Sequence, residues 1–271
     1  MRINMVTLKS AREIETMRRS GKITAAVLTG LMQAARPGIS TRELDEMAEK
    51  GIRERGGIPT FMGYHGYPAS ICASVNSEVV HGIPGDYVLR EGDLLSIDIG
   101  TTFEGYVSDS AVTVPIGNIG ANAQKLLKVT QESLMLGIAQ MQRGNHLGDI
   151  GAAVQKHAES NGFGVVRELV GHGVGRAMHE EPQVPNYGKA GTGIELRSGL
   201  VLAIEPMITE GDYGVKILKD GWTVVTTDGK LAAHFEHTIA VTDDGPKILT
   251  LRSFGEHPDA ERYRPKEEAA A

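Results

Sequence analysis

Apolar residues recur every three to four positions from Ser10 to about Ala35, where Pro37-Gly38 ends the run. A second such run spans about Thr41 to Arg55, with Leu44, Met47, Ala48 and Ile52 on one face. Ser10–Glu13 ("SARE") and Ser40–Glu43 ("STRE") fit the capping box, in which the serine and the glutamate each satisfy a free backbone N–H. These signals predict two helices. "GIPTFMGYHGYPAS" then reads as loop or irregular strand, and from Ile71 to Val114 short apolar runs between turn residues predict strands in "ICASV", "DLLSIDIGTTF" and "SDSAVTVPIG". The second part repeats the plan, with helices over about 121–142 and 147–160 and strands after them. Asp220-Gly221 and Asp228-Gly229 are hairpin-turn dipeptides, and they predict a β-meander over 214–241. The expected class is α+β, with helices outside a curved sheet, mixed but mostly antiparallel.

The similarity of the two parts extends to single residues. "LREGDLLSIDI" (89–99) aligns with "LRSGLVLAIEP" (196–206) at an offset of 107, placing Asp98 on Glu205. "SDSAVTV" (108–114) aligns with "FEHTIAV" (235–241), placing Asp109 on Glu236. "GYHG" matches "VGHG", setting His65 on His172 at offset 107, and Gly38 falls on Gly144 at offset 106. Matches in the same order, at offsets of 106 to 107 and, for the last pair, 127, imply an internal duplication, and the period is too long for a solenoid. Two halves, about 10–115 and 116–250, are expected to face each other across a pseudo-twofold axis. No linker divides them, so they share one core in a single domain of 1–252.

The duplication explains an otherwise costly feature. Glu205 follows the apolar stretch Leu200–Ile204, and a buried unpaired charge is expensive. If the halves face each other, Asp98, Asp109, Glu205 and Glu236 converge, and their repulsion calls for divalent cations. His172, between glycines that permit close backbone approach, adds an imidazole ligand. Two ions in such a shell would share a bridging water, acidified into a nucleophile for a carbonyl. His81 and His179 would then donate hydrogen bonds to a substrate amide or its oxyanion. His65, His146, His157, His234, His237 and His257 read as surface or structural residues.

Bulk composition narrows the setting. The 271 residues include 41% hydrophobic and 23% charged positions, ordinary for a globular chain. The net charge of −6 gives no basic footprint for nucleic acid, while leaving room for a local patch facing a ribosome. Cys72 is the only cysteine, which fits a reducing compartment. No apolar run approaches the roughly 20 residues of a membrane span, and the N-terminus lacks a signal-peptide core. A cytoplasmic location is expected. The polar, aperiodic stretch 253–271 is expected to be a disordered tail. The GxSxG elbow and phosphate-loop patterns are missing.

The motifs "GYHGYPASICASVN", "VVHGIPG", "SIDIG…SDSAVT", "GHGVGRAMHEEPQVPNYG", "IEPM" and "FEHTIAVT" together closely resemble the type I methionine aminopeptidases, metallopeptidases of the pita-bread fold. The resemblance covers about residues 5–252. It implies five metal ligands: Asp98, Asp109, His172, Glu205 and Glu236. Asp109 and Glu236 would bridge two ions, Asp98 would complete one site, and His172 with Glu205 the other. It makes Glu205 a proton shuttle and His81 and His179 catalytic contacts to substrate. It also implies a methionine pocket of Phe61, Tyr64, Tyr67, Cys72, Met178 and Trp222. From the residues alone these six read equally well as ordinary core. Met178 departs from the aromatic more usual at its position.

The implied activity is removal of the initiator methionine from nascent chains by a monomeric enzyme holding two divalent ions, cobalt, manganese, iron or zinc. A proline-specific aminopeptidase or dipeptidase of the same fold usually carries a large N-terminal domain, whereas here the catalytic fold starts within about ten residues. A non-catalytic pita-bread binding protein would typically have lost ligands, and all five stand here.

Overall fold

The structure is a computed structural model that describes residues 6–252, so the expected disordered tail lies outside the described residues. The helices are α1 (Ala11–Ala34), α2 (Thr41–Glu54), α3 (Ala121–Ala139) and α4 (Leu147–Ser160). Both predicted capping boxes form: Ser10 and Ser40 each accept from the backbone N–H three residues on, and their own N–H groups donate to Glu13 and Glu43. α3 ends three residues short of the expected 142, because the Gln140 N–H turns back to Gly137 and Ile138 in a tightened last turn.

The strands in chain order are β1 (Ile58–Pro59), β2 (Ile71–Val75), β3 (Glu78–Val80), β4 (Leu94–Phe103), β5 (Tyr106–Pro115), β6 (Gly164–Val165), β7 (Gly171–Gly173) and β8 (Glu180–Val184). They continue with β9 (Val201–Ile204), β10 (Met207–Thr209), β11 (Val215–Ile217), β12 (Val224–Thr226), β13 (Ala232–His234), β14 (His237–Thr242) and β15 (Gly245–Ile248). They form four sheets: β1-β4-β2 with β5 also on β4, β13-β10-β6, β11-β12-β3, and β15-β14-β9-β7-β8. Among the described residues every strand pair is antiparallel, so the sheet structure is not mixed.

The expected meander over 214–241 does not form. Asp220-Gly221 does close a hairpin between β11 and β12. Asp228-Gly229 turns the chain, but the next strand, β13, pairs with β10 instead of β12. Asp228 uses its carboxylate locally, accepting from the Asp212 and Lys230 N–H groups, and the turn delivers the chain to another sheet.

One contiguous core joins both parts of the chain, with Leu28, Ile97, Ile138, Val154, Leu202 and Ile239 all in it. The sequence repeat reappears as backbone geometry. The Gly38 N–H donates to Leu89 O at 2.9 Å, and the Gly144 N–H to Leu196 O at 3.0 Å. Gly92 and Gly199, aligned at offset 107, have φ of +93° and +95°, a conformation that requires glycine. The match of His65 with His172 is not structural. His65 sits exposed in the short turn Tyr64–Gly66, while His172 is buried in β7. Strand register places Ser74, opposite Ser96, where the other half has His172 opposite Ala203.

The two parts meet along a seam of small hydroxyl residues. Thr238 Oγ1 accepts from the Asp109 N–H at 2.9 Å and donates to Asp109 O at 2.8 Å. Ser110 Oγ donates to Glu236 O, and Thr113 Oγ1 donates to His234 O and accepts from the His234 N–H. Each hydroxyl completes backbone pairing between β5 and the segment 234–238, and this fixes the spacing of the acids.

Candidate metal centre

Asp98 lies mid-strand in β4, opposite Ala111 of β5. Asp109 is two residues from Ala111, so both aspartates project from the same face of the hairpin as diagonal neighbours. Glu205 follows the last residue of β9 and Glu236 precedes the first of β14, where Ile204 pairs with His237. Asn186 Nδ2 donates to Glu205 O and holds that strand end in place.

His172 is set on β7 by its glycines: a Cβ on Gly171 would lie 2.4 Å from Ala203 O, and one on Gly173 2.3 Å from Glu181 O. The expected close approach is real. His172 Nδ1 sits 2.9 Å from the Gly173 carbonyl, which can only accept, so the proton is on Nδ1 and Nε2 offers its lone pair. That Nε2 lies 3.5 Å from Glu205 Oε1 and 3.9 Å from Asp109 Oδ2. Asp109, His172 and Glu236, all buried, each place a donor atom within 4.8 Å of the others.

Burial governs the charges. It raises the Asp98 carboxyl to about 7. Asp109 is pushed well above the carboxylate range by burial and then by Glu236 beside it; Glu205 by burial and Asp109; Glu236 by burial and Glu205. Burial also lowers His172 and His81 to about 4 and His234 to about 3. Asp98 Oδ1, Asp109 Oδ1 and Glu236 Oε1 are buried without a hydrogen-bond partner. Native proteins rarely leave such atoms orphaned, and a cation would satisfy all three. Four carboxylates and one imidazole are a donor set suited to divalent manganese, iron, cobalt or zinc. The residues fit a metal.

The four acids and His172 line a cavity of about 590 Å³, counting the part open to solvent. Phe61, Tyr64, Tyr67, Cys72, Met178 and Trp222 line the same cavity. His81 and His179 line it too. All thirteen residues singled out in the sequence therefore face one space. Trp222 is presented by its turn, where Asp220 Oδ1 accepts from the Trp222 and Thr223 N–H groups. Tyr67 meets Trp222 edge to face, with ring centroids 5.1 Å apart. Cys72 is paired with Asp98 across β2 and β4, and burial raises its thiol. His81 has φ +60°, a strained setting for a non-glycine residue that turns its ring from the end of β3. His179 Nδ1 lies 2.6 Å from the Tyr64 hydroxyl.

Several contributors escaped sequence reasoning. His234, read there as structural or surface, is buried with Nε2 3.7 Å from Glu205 Oε2. Its adjacency to Glu236 was the available signal. Glu180 accepts from the Arg176 and Ala177 N–H groups and pairs with buried Lys9 at 2.7 Å, tying down the loop that carries Met178 and His179. A link across 171 positions leaves no local trace in the sequence.

Residues 15–243 match the model of metallopeptidase family M24. A methionine aminopeptidase of Clostridium perfringens is 51% identical over 91% of this chain and 99% of its own length. Methionine aminopeptidase 1 of Bacillus subtilis is 52% identical over the same shares. The crystal structure of a methionine aminopeptidase from Thermotoga maritima superposes with a TM-score of 0.90 at 44% identity, covering 92% of this chain and all of that one. A prolidase from Pyrococcus horikoshii, 21% identical, shares the fold at a TM-score of 0.74 over 92% of this chain and 65% of its own. By match length, identity and coverage, the chain belongs to metallopeptidase family M24, in its methionine aminopeptidase branch.

Proposed function

We propose that the chain hydrolyses the peptide bond after an N-terminal methionine, and that its substrates are newly made chains whose second residue is small. The observation that carries this reading is a single cavity lined by five potential ligands, by the largely apolar side chains of Phe61, Tyr64, Tyr67, Cys72, Met178 and Trp222, and by two further histidines. The slot suits an unbranched thioether, because sulfur packs favourably against aromatic rings and Met178.

Asp98, Asp109, His172, Glu205 and Glu236 would hold two divalent ions. When bound, such ions acidify water and polarise the scissile carbonyl. The chain's own groups do the rest. The apolar slot takes the methionine side chain, excludes water from it, and so aligns the first peptide bond with the acids. The Glu205 carboxylate accepts the proton of the attacking water and returns it to the departing amine. With the Tyr64 hydroxyl donating to His179 Nδ1, the ring carries its proton on Nε2 and donates it to the substrate carbonyl as that gains charge. His81, neutral for the same reason of burial, donates to the substrate amide.

The test is release of free methionine from a Met-Ala-Ser peptide by chelator-stripped protein, before and after addition of Mn²⁺ or Co²⁺, with Ala-Pro-Ser as control. Metal-dependent release of methionine alone is expected. Cleavage of the Ala-Pro bond instead would move the chain to the proline-specific branch of the fold.

A further inference from the structure

Glu205 stands between two imidazoles. Its Oε1 lies 3.5 Å from His172 Nε2 and its Oε2 lies 3.7 Å from His234 Nε2. His172 belongs to the ligand set above; His234 has no role there. Yet His234 is only 2% exposed, and its Nε2 is buried without a hydrogen-bond partner. A polar nitrogen in that position is costly unless a partner meets it during function.

The His234 ring is also not free to leave. Its backbone N–H donates to Thr113 Oγ1 at 2.8 Å, its carbonyl accepts from the same hydroxyl at 2.9 Å, and it pairs with Met207 in β13 and β10. The seam that joins the two halves therefore fixes the backbone from which the imidazole projects. Among the described residues, the acidic oxygen within 4 Å of its Nε2 is Glu205 Oε2.

We infer that His234 is a positioning residue for the metal centre, its Nε2–H donating to Glu205 Oε2 so that Oε1 is kept on the His172 side. This rests on the reading of Glu205 as a metal ligand. An ionised carboxylate accepts only, so the nitrogen facing it must carry the proton. The present separation exceeds a hydrogen bond by under an ångström, within reach of a small turn of the carboxylate. Such outer partners commonly fix a ligand's orientation, and their loss weakens metal binding.

The experiment titrates Co²⁺ into the metal-free wild-type protein and into His234→Gln, His234→Leu and Glu205→Ala variants, read by calorimetry and by the visible absorption of bound Co²⁺. His234→Leu is expected to weaken binding by about 10- to 100-fold and to alter the Co²⁺ spectrum. His234→Gln, which keeps a donor, is expected to recover most of both. Wild-type-like Co²⁺ affinity and spectrum in His234→Leu, with Glu205→Ala impaired, would overturn this inference alone. Undiminished binding by Glu205→Ala would overturn the ligand reading beneath it. Should His234→Leu not fold, ¹⁵N NMR of the Zn²⁺-loaded wild-type protein decides: a protonated Nε2 on His234 is expected, and an unprotonated one contradicts the proposal.

Discussion

The β4–β5 hairpin and the β9–β14 pair begin from the same repeated phrase and end differently. The hairpin is paired over ten positions, and both its acids lie inside the ladder. The second pair holds over four positions, and both its acids lie one residue beyond it. The half with its acids inside the ladder uses aspartates, short and stiff; the half with its acids just past the ladder uses glutamates, one methylene longer. The duplicated frame thus divides the work. One half fixes two carboxylates through its backbone, and the other reaches toward them with longer arms that neighbouring groups must orient. His172, His234 and Asn186 all gather around Glu205 in the second half. Asp109 shares His172 with Glu205, its Oδ2 lying 3.9 Å from the same Nε2.

The largest break in this comparison comes from removing a carboxylate charge. Asp109→Asn and Glu236→Gln are each predicted to lower kcat/KM for Met-Ala-Ser by about a thousandfold or more, measured by methionine release at saturating Mn²⁺. Next is the frame itself. Ile97 and Ile204 are fully buried strand residues, one beside each acid. Alanine at either is predicted to cost about 2–5 kcal/mol in urea unfolding, and Ile204→Ala to weaken Mn²⁺ binding as well.

Exchanging the acids tests the division more finely. Asp98→Glu adds a methylene between a backbone held in the ladder and the crowded acid cluster, and is predicted to cost about 1–3 kcal/mol of stability. Glu205→Asp is predicted to leave the melting temperature nearly unchanged while weakening metal binding about 10- to 100-fold, seen by calorimetry. Equal stability losses in both would erase the distinction between the halves.

The smallest effect is on pH dependence. In the metal-free protein the four carboxyls have folded pKa values raised by burial, Asp98 to about 7. A raised folded pKa gives stability that is present at low pH and lost as pH rises through it. The buried histidines act oppositely, but their lowered values confine that effect to below about pH 6.5, the unfolded value. Between pH 6.5 and 8 the melting temperature of metal-free protein should therefore fall, by roughly a few degrees. Metal-loaded protein should stay flat, as scanning calorimetry would register.

How much of this was legible follows from the kind of signal each feature leaves. The helix starts were readable because a capping box is complete within four residues, and the repeat was readable because glycines and the first acid of each half recur at an offset of 106 to 107, with the second acids following in the same order. The acid cluster followed, since convergence made sense of an acid at the end of one apolar strand and another near the start of a later strand in each half. The His65 match failed because a residue offset does not encode strand register, which alone sets Ser74 opposite Ser96. The meander failed because a turn dipeptide bends the chain without naming the strand that comes to pair with it. His234 and the Lys9–Glu180 clasp stayed hidden because each acts on a residue distant in sequence, Glu205 in one case and the loop before His179 in the other.

The central claim is that both halves converge on one dinuclear centre. Anomalous scattering at the manganese edge from crystals grown with Mn²⁺ tests it most directly. The account predicts two peaks between Asp98, Asp109, His172, Glu205 and Glu236, with both Asp109 and Glu236 touching each. No peak among those five side chains, with Mn²⁺ bound elsewhere or not at all, would contradict it.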